Sequence, residues 1–144
     1  MSLFEATRRR RLRVLFVCFA NACRSRMAEG FASEYAPNLL DAESAGLQPA
    51  GRVSRRTMTV MAEKGILLDP REPRPLEEVD LDSFDLIVNM SGRALPACRA
   101  RVLPMPLPDP GRGDLTLHRQ VRDSVDRAVR TLVIKLRTAR EIAA

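Results

Sequence analysis

The spacing of apolar and polar positions along this 144-residue chain predicts strands that alternate with helices. The first apolar run, 12–17, is interrupted only by Arg13 and is typical of a strand buried on both faces. A second run of this kind covers 84–90, and shorter strands are predicted over 39–44 and 102–108. Because 102–108 alternates apolar residues with prolines, we expect that strand at an edge or at the end of the sheet.

Helical spacing separates these strands. Positions 27–35 form an amphipathic segment that Pro37 ends. Ser54 is a suitable N-cap for a helix that stops at Gly65. The segment 117–143 repeats apolar residues every three or four positions and therefore predicts a long amphipathic helix.

The remaining segments complete the predicted fold. A further helix is predicted over 91–101, with Pro96 limiting how early it begins, and loops are predicted over 67–76 and 108–114. Strands that alternate with helices form a parallel sheet. We therefore predict a single three-layer α/β domain with a four-stranded parallel sheet and helices on both faces. Ligands of such sheets bind at the carboxyl ends of the strands, and the first strand ends at Cys18.

The charge distribution divides the chain into two parts. The formal net charge is +6, and arginines cluster at 8–11 and 13. No aromatic residues alternate with this basic run, as a surface that stacks on bases would require, so we do not expect nucleic acid as a partner. We interpret 1–12 as a basic, flexible arm and 13–144 as the domain.

Composition also limits the location and the cofactors. No segment reaches the roughly 18 apolar residues of a membrane span, and the apolar stretch after the basic run leads into polar residues rather than a signal-peptide cleavage site. We expect a cytoplasmic protein with no membrane partner. Three cysteines and one histidine, His118, do not form a metal-ligand pattern. We therefore expect free thiols and neither a metal nor another cofactor.

The most informative segment is 18–25, which we call the anion loop. It has Cys18, then five residues, then Arg24, and it lies between a predicted strand and a predicted helix. Backbone amides of such a loop can surround an anion, the following helix adds its positive dipole, and Arg24 offers two parallel donors to a phosphate-like group. The same positive field favours the thiolate of Cys18, which is then placed to attack a bound phosphoryl group.

The segment 14–30, VLFVCFANACRSRMAEG, resembles the signature of the low-molecular-weight protein tyrosine phosphatases and of the related thioredoxin-coupled arsenate reductases. Three further segments are similar to the family pattern: Ser44-Ala45-Gly46, the strand 85–88, and the pair Asp109-Pro110. The resemblance therefore covers nearly the whole chain from Val14 onward.

The resemblance implies a role for each matching position. Cys18 would be the nucleophile, Arg24 would hold the oxyanion, and Asp109 would protonate the leaving group and later activate water. Ser25 would donate a hydrogen bond to the thiolate and ease its departure. The substrate would also contact the remaining positions of the anion loop, which are Phe19, Ala20, Asn21, Ala22 and Cys23.

Some of the residues around the anion loop match the family pattern, and others depart from it. The resemblance implies that Asn21 adopts an unusual backbone angle, which asparagine tolerates better than most residues, and that Ser44 braces it. Ala20 stands where the family usually has glycine, and a methyl group is costly if the backbone there needs a positive φ. Arg26 stands where the phosphatases usually have proline.

Two regions distinguish the phosphatases from the reductases. The loop 111–114 offers no aromatic ring to stack on a phenol. The reductases carry two further cysteines seven positions apart; Cys98 matches the second, but Ser91 occupies the first and cannot form a disulfide. Cys98 is thus either a packing residue or redox-active. Cys23 is either a packing residue below the anion loop or a partner that protects Cys18 under oxidation.

These observations favour a phosphomonoester hydrolase, similar to the protein tyrosine phosphatases, that acts through a phosphocysteine intermediate on a phosphorylated protein or a small phosphomonoester. The alternative is an arsenate reductase with the same anion loop, because arsenate has the shape and charge of phosphate, and with a thioredoxin-like reductant as partner. A third interpretation is an oxyanion- or phosphoprotein-binding module with little catalysis, which Ala20 and the bare loop after Asp109 motivate.

Overall fold

A computed structural model describes residues 10–143 of the chain and contains four strands and three α-helices. Two 3₁₀ turns, Leu76–Glu78 and Leu81–Ser83, follow the second α-helix. The elements in chain order are β1 (Leu12–Cys18), α1 (Arg24–Tyr35), β2 (Leu40–Gly46), α2 (Arg55–Ala62), β3 (Leu86–Asn89), β4 (Arg101–Pro104) and α3 (Leu115–Ala143).

The four strands form one parallel sheet in the order β2-β1-β3-β4. β1 is central, and its Val14 pairs with Ala42 on one side and Leu86 on the other. β4 lies at the edge, where Val102 is exposed, as its prolines predict. The predicted four-stranded parallel sheet is confirmed, and the carboxyl ends of β1 and β3 lie side by side.

Both faces of the sheet are covered. Val14, Phe16 and Cys18 of β1 belong to a hydrophobic cluster that includes buried side chains of all three α-helices. Leu15 and Val17 point to the opposite face, because side chains alternate along a strand, and pack with residues of the 3₁₀ turns. All three α-helices therefore cover one face of the sheet, and the 3₁₀ turns cover the other.

The α-helices follow the predicted signals. The Ser54 hydroxyl accepts a hydrogen bond from the Thr57 amide and caps α2, and Gly65 follows the helix with a φ of +74°. α1 begins at Arg24, three residues before the predicted start at 27. α3 extends over 29 residues, yet no helix among residues 10–143 has both the length and the hydropathy needed to span a bilayer.

The helix predicted over 91–101 is wrong. After β3 the chain turns instead, because the side-chain oxygen of Asn89 accepts hydrogen bonds from the amide of Ser91 at 3.0 Å and from its hydroxyl at 2.6 Å. Gly92 then has a φ of +72°, which lies outside the right-handed helical region. These local bonds replace the first turn of a helix.

The same segment is also held at its far end. The carboxylate of Asp82 accepts hydrogen bonds from the amides of Arg99 at 2.6 Å and Ala100 at 3.2 Å. Pro96 has no amide hydrogen for a helical bond. The connection between β3 and β4 is therefore irregular because side chains outside it satisfy its backbone.

The boundary of the predicted arm also differs from the structure. Leu12 is the first residue of β1 and pairs with Leu40, so the sheet begins before residue 13. Arg10 forms an ion pair with Asp85 at 3.3 Å. The predicted basic and flexible character of residues 1–9 lies outside the described residues.

Candidate active site

The anion loop connects the carboxyl end of β1 to the first turn of α1 and contains the Cys18 thiol at its base. Cys18 is 2% exposed, and its Sγ lies 2.9 Å from the Ser25 Oγ. The same hydroxyl oxygen accepts a hydrogen bond from Asn21 Nδ2 at 2.8 Å. Because Asn21 occupies an acceptor position of Ser25, the hydroxyl proton of Ser25 is available for a hydrogen bond to the Cys18 sulfur.

Asn21 shapes the turn of the anion loop. Its φ is +51°, the only positive φ of a non-glycine residue within residues 10–143, so the predicted unusual backbone angle is confirmed. Its side-chain oxygen accepts a hydrogen bond from the Arg74 amide at 2.9 Å. Ala20 does not have a positive φ, and its methyl group therefore causes no backbone strain.

The backbone carbonyls of the anion loop are directed away from its centre. Four of them accept hydrogen bonds of 2.8–3.1 Å from the amides of residues 47, 48, 50 and 54. Of the backbone hydrogen bonds that residues 10–143 form outside helices and strands, none is donated by an amide of residues 19–25. These amides, together with the N-terminus of α1, are thus available to an anion.

Arg24 closes one side of this site. Its side chain is buried, and its Nη1 donates to the carbonyl oxygens of Met90 and Leu107, each at 2.9 Å. Its Nη2 lies 3.6 Å from Oδ2 of Asp109, which is half exposed and also accepts a hydrogen bond from the Gly111 amide. The structure therefore brings Arg24 and Asp109 together at the rim of the anion loop.

A cavity of about 580 Å³ opens beside the anion loop. Ala20, Ala22 and Cys23 form one wall, and Asp109 and Gly111 contribute to the rim. The remaining lining residues are Ala50, Arg52, Val53, Ser54, Arg55 and Arg56. Among the residues that the structure describes, no aromatic ring lines this cavity, in agreement with the bare loop predicted after Asp109.

Cys23 lies at the N-terminus of α1 and is 8% exposed. Burial raises the pKa of its thiol, although the hydroxyls of Thr57 and Ser54 act in the opposite direction. Cys23 is a free thiol, and at neutral pH the raised pKa keeps it protonated. A protonated thiol is a poor nucleophile.

Cys98 lies on the other side of the sheet from Cys18. It packs against the cluster formed by Leu15, Val17 and their neighbours, and its Sγ lies 3.7 Å from the carbonyl oxygen of Ala100. Cys18 belongs to the cluster on the opposite face. The structure therefore does not bring Cys98 to Cys18.

The predicted contact between Ser44 and Asn21 is wrong. Ser44 is opposite Phe16 in the sheet, and its hydroxyl donates to Glu29 of α1 at 2.7 Å. Its side chain is turned to the α1 face, because Phe16 packs on that face. Asn21 is held instead by Ser25 and by the Arg74 amide.

One supporting residue, Arg26, has a larger part in the site than the sequence pattern indicates. Its side chain is 2% exposed, and its Nε donates to the carbonyl oxygen of Asn21 at 3.2 Å. Its Nη2 donates to the carbonyl oxygens of Arg71 and Glu72 at 2.8 and 2.9 Å. Burial lowers the pKa of this guanidinium. The available signal in the sequence was that Arg26 stands where the phosphatases usually have proline.

Comparisons with known proteins agree with this geometry. The family described as "Low molecular weight phosphotyrosine protein phosphatase" matches residues 13–142. The chain is 31% identical over 134 residues to the "Glutaredoxin arsenate reductase" of Synechocystis sp., and the match covers 86% of this chain and 98% of that relative.

Two solved structures extend the comparison. An arsenate reductase from Archaeoglobus fulgidus superimposes with a TM-score of 0.77 at 35% identity, covering 83% of this chain and 98% of the other. A low molecular weight protein tyrosine phosphatase from Bacillus subtilis superimposes with a TM-score of 0.75 at 27% identity, covering 90% and 99% of the two chains. The fold is thus shared with reductases and with a phosphatase.

Proposed function

The chain belongs to the low molecular weight phosphotyrosine protein phosphatase family of enzymes, and we propose that within this family it is an arsenate reductase. The signature alone ranked a phosphatase first. Relatives named arsenate reductases reverse that order, because one of them is 31% identical to the chain over 86% of its length. We place the reaction in the cytoplasm, where reduced thiols are available.

The observation that carries this proposal is the set of groups that line the site. The anion loop and Arg24 offer donors to a tetrahedral oxyanion above the Cys18 thiol. The adjoining cavity has walls of small and basic residues, and within residues 10–143 it has no ring that would stack on a phenol. Arsenate needs only these donors, whereas an aryl phosphate also needs a binding site for its aromatic leaving group.

The first step forms a bond between sulfur and arsenic. The Cys18 thiolate, hydrogen-bonded to Ser25, attacks the As(V) centre of arsenate, and one As–O bond breaks. The departing oxygen leaves as water when Asp109 supplies a proton, since its carboxyl group lies at the rim beside Arg24. Arg24 and the loop amides balance the negative charge of the remaining oxygens.

The second step transfers two electrons to arsenic. A thiolate attacks the Cys18 sulfur and forms an S–S bond, while the electron pair of the S–As bond stays on arsenic and gives arsenite. A second thiol then attacks the mixed disulfide and regenerates the Cys18 thiolate. In sum, arsenic acid and two thiols give arsenous acid, one disulfide and one water.

Neither remaining cysteine is well placed to supply the attacking thiol. Cys98 packs on the opposite face of the sheet, Ser91 has no sulfur, and the raised pKa of Cys23 keeps its thiol protonated. We therefore propose an external thiol donor. The name of the Synechocystis relative, which refers to glutaredoxin, supports a donor of the glutaredoxin or thioredoxin kind.

The test is arsenite formation with a thiol donor, measured beside hydrolysis of para-nitrophenyl phosphate. We expect the wild-type protein to oxidise the thiol only when arsenate is present. Cys18→Ser should abolish this turnover and retain oxyanion binding, measured by calorimetry with phosphate. Unchanged arsenite formation by Cys18→Ser would disprove the assignment of the nucleophile, and wild-type protein that forms no arsenite with any thiol would disprove the reductase.

A phosphomonoesterase remains the second candidate because Asp109 lies 3.6 Å from Arg24, where a general acid would protonate an ester leaving group. Hydrolysis of para-nitrophenyl phosphate without arsenite formation would favour it. In that case Asp109→Asn should lower kcat by roughly 10²–10⁴-fold, the usual contribution of a general acid. If the protein binds oxyanions but neither forms arsenite nor hydrolyses para-nitrophenyl phosphate, the third interpretation, an oxyanion-binding module, would be favoured.

A further inference from the structure

Arginines without partners form one wall of the cavity beside the anion loop. Arg52, Arg55 and Arg56 line it, and all three side chains are exposed. Among residues 10–143, none of these side chains has an ion pair or a hydrogen bond. By contrast, five arginines elsewhere are paired with carboxylates at 2.5–2.8 Å: Arg13, Arg71, Arg74, Arg119 and Arg122.

The cavity therefore has an excess of positive charge. Asp109 is the carboxylate in its lining, and it already lies beside Arg24. The first turn of α2, which contributes Arg55 and Arg56, has no acidic residue, so the positive end of the helix dipole is not balanced. An occupant with negative charge is the one that these groups favour.

The volume of the cavity indicates an organic occupant rather than a second oxyanion. The cavity measures about 580 Å³, within the roughly 300–1,000 Å³ of sites for small organic ligands. It shares Ala20, Ala22 and Cys23 with the anion loop. A molecule bound there lies beside the anion loop and next to Asp109, whose carboxylate is 3.6 Å from Arg24.

We propose that this cavity binds the thiol cosubstrate of the reductase and selects a small thiol that carries carboxylate groups. This inference rests on the proposed arsenate reduction. The carboxylates pair with Arg52, Arg55 and Arg56, and the thiolate attacks the sulfur of the Cys18–arsenic adduct. An S–S bond forms, and the S–As electron pair stays on arsenic. A second thiol, from a glutaredoxin-like protein or from another molecule of the small thiol, then attacks the mixed disulfide and releases the Cys18 thiolate.

The experiment compares three thiols of similar size and different charge: 3-mercaptopropionate, 2-mercaptoethanol and cysteamine. Arsenite formation is measured at saturating arsenate in the wild type and in the variant Arg52→Gln/Arg55→Gln/Arg56→Gln. A matched control, Arg127→Gln/Lys135→Gln/Arg137→Gln, removes the same charge from α3. Comparing each thiol between two proteins cancels its intrinsic reactivity.

We expect the cavity variant to lower kcat/KM for 3-mercaptopropionate roughly tenfold relative to that for 2-mercaptoethanol, because three exposed ion pairs are lost. The kcat/KM for cysteamine, relative to that for 2-mercaptoethanol, should rise in the cavity variant. Added salt should reduce the wild-type preference for the anionic thiol. The control variant should keep the wild-type ratios.

Three results would overturn the inference. One is an equal loss for all three thiols in the cavity variant, and another is the same change of ratios in the control. The third is a cavity variant that loses turnover with a reduced thiol protein and keeps the wild-type ratios with small thiols, which would assign the arginines to a protein partner. Absence of arsenite with every thiol in the wild type would instead refute the proposed function.

Discussion

Gly46 is the residue that lets β2 approach the anion loop. A Cβ at this position would lie 2.8 Å from the Asn21 nitrogen and 2.9 Å from the carbonyl carbon of Ala20. Both are backbone atoms, so the anion loop itself would have to move. We expect Gly46→Ala to lower turnover at least tenfold and to destabilise the fold by about 1–3 kcal/mol, measured by arsenite assay and urea unfolding.

The matched control for this substitution is Gly51→Ala, because a Cβ on Gly51 meets no atom within 4 Å. This variant should have the same turnover and the same urea-unfolding midpoint as the wild type. Wild-type activity in Gly46→Ala would show that the loop tolerates displacement, and the geometric argument for the site would then be wrong.

At the residue scale, contiguous features of the site could be predicted and distant contacts could not. Cys18, Arg24 and the backbone angle of Asn21 lie within one short segment, so a local pattern contains them. The partners of Ser44 and Arg26 are set by the packing of β2 and of residues 71–72 against α1. No local pattern specifies that packing.

The two helices α2 and α3 are joined by Glu63, which accepts hydrogen bonds from Arg119 and Arg122 at 2.8 and 2.7 Å. These bonds lower the pKa of Glu63 from 4.5 to about 2. A carboxylate with a lowered pKa in the folded state stabilises the fold above its unfolded pKa, and this contribution disappears as the pH falls through the folded value.

We therefore expect Glu63→Gln to be less stable than the wild type by a constant amount above pH 5. The difference should shrink as the pH falls from 4.5, the pKa of Glu63 in the unfolded state, towards about 2, its pKa in the folded state. Urea unfolding of both proteins across this range measures it. A difference that does not change with pH would mean that the two ion pairs do not stabilise the contact between α2 and α3.

At the element scale, periodicity predicted elements whose own residues determine them. α3 was predicted because apolar positions repeat at helical spacing over 117–143, and β1 because it is apolar on both faces. The segment after β3 has helix-compatible residues, but Asn89 and Asp82 capture its amides from outside. Such competition depends on neighbours in space, so a helix was predicted where none forms.

For the whole molecule, the sheet separates the two cysteines that a relay would have to connect. The general architecture followed from the sequence because alternating strands and helices allow few arrangements. The packing of 3₁₀ turns on the second face of the sheet did not follow from the sequence. Cys98 packs against this layer. The position of Cys98 thus depends on the tertiary structure rather than on its distance from Ser91 in the sequence.

This separation predicts that Cys98 takes no part in turnover. The Cys98→Ser variant should convert arsenate to arsenite at the wild-type rate when small thiol is in excess. The reason is that the Cys98 sulfur packs on the face of the sheet opposite Cys18. Cys23→Ser should likewise retain most turnover, since a thiol with a raised pKa contributes little thiolate. Both variants are assayed for arsenite and for hydrolysis of para-nitrophenyl phosphate.

The decisive pattern is a difference between the two assays. Suppose that Cys98→Ser loses arsenite formation and keeps ester hydrolysis. The Cys98 thiol of the wild type would then have to reach the Cys18 adduct, and the irregular segment between β3 and β4 would have to move away from the face of the sheet during turnover. Mass spectrometry of protein quenched during turnover separates these cases. An external donor gives an adduct of the thiol on Cys18, whereas an internal relay gives a Cys18–Cys98 disulfide.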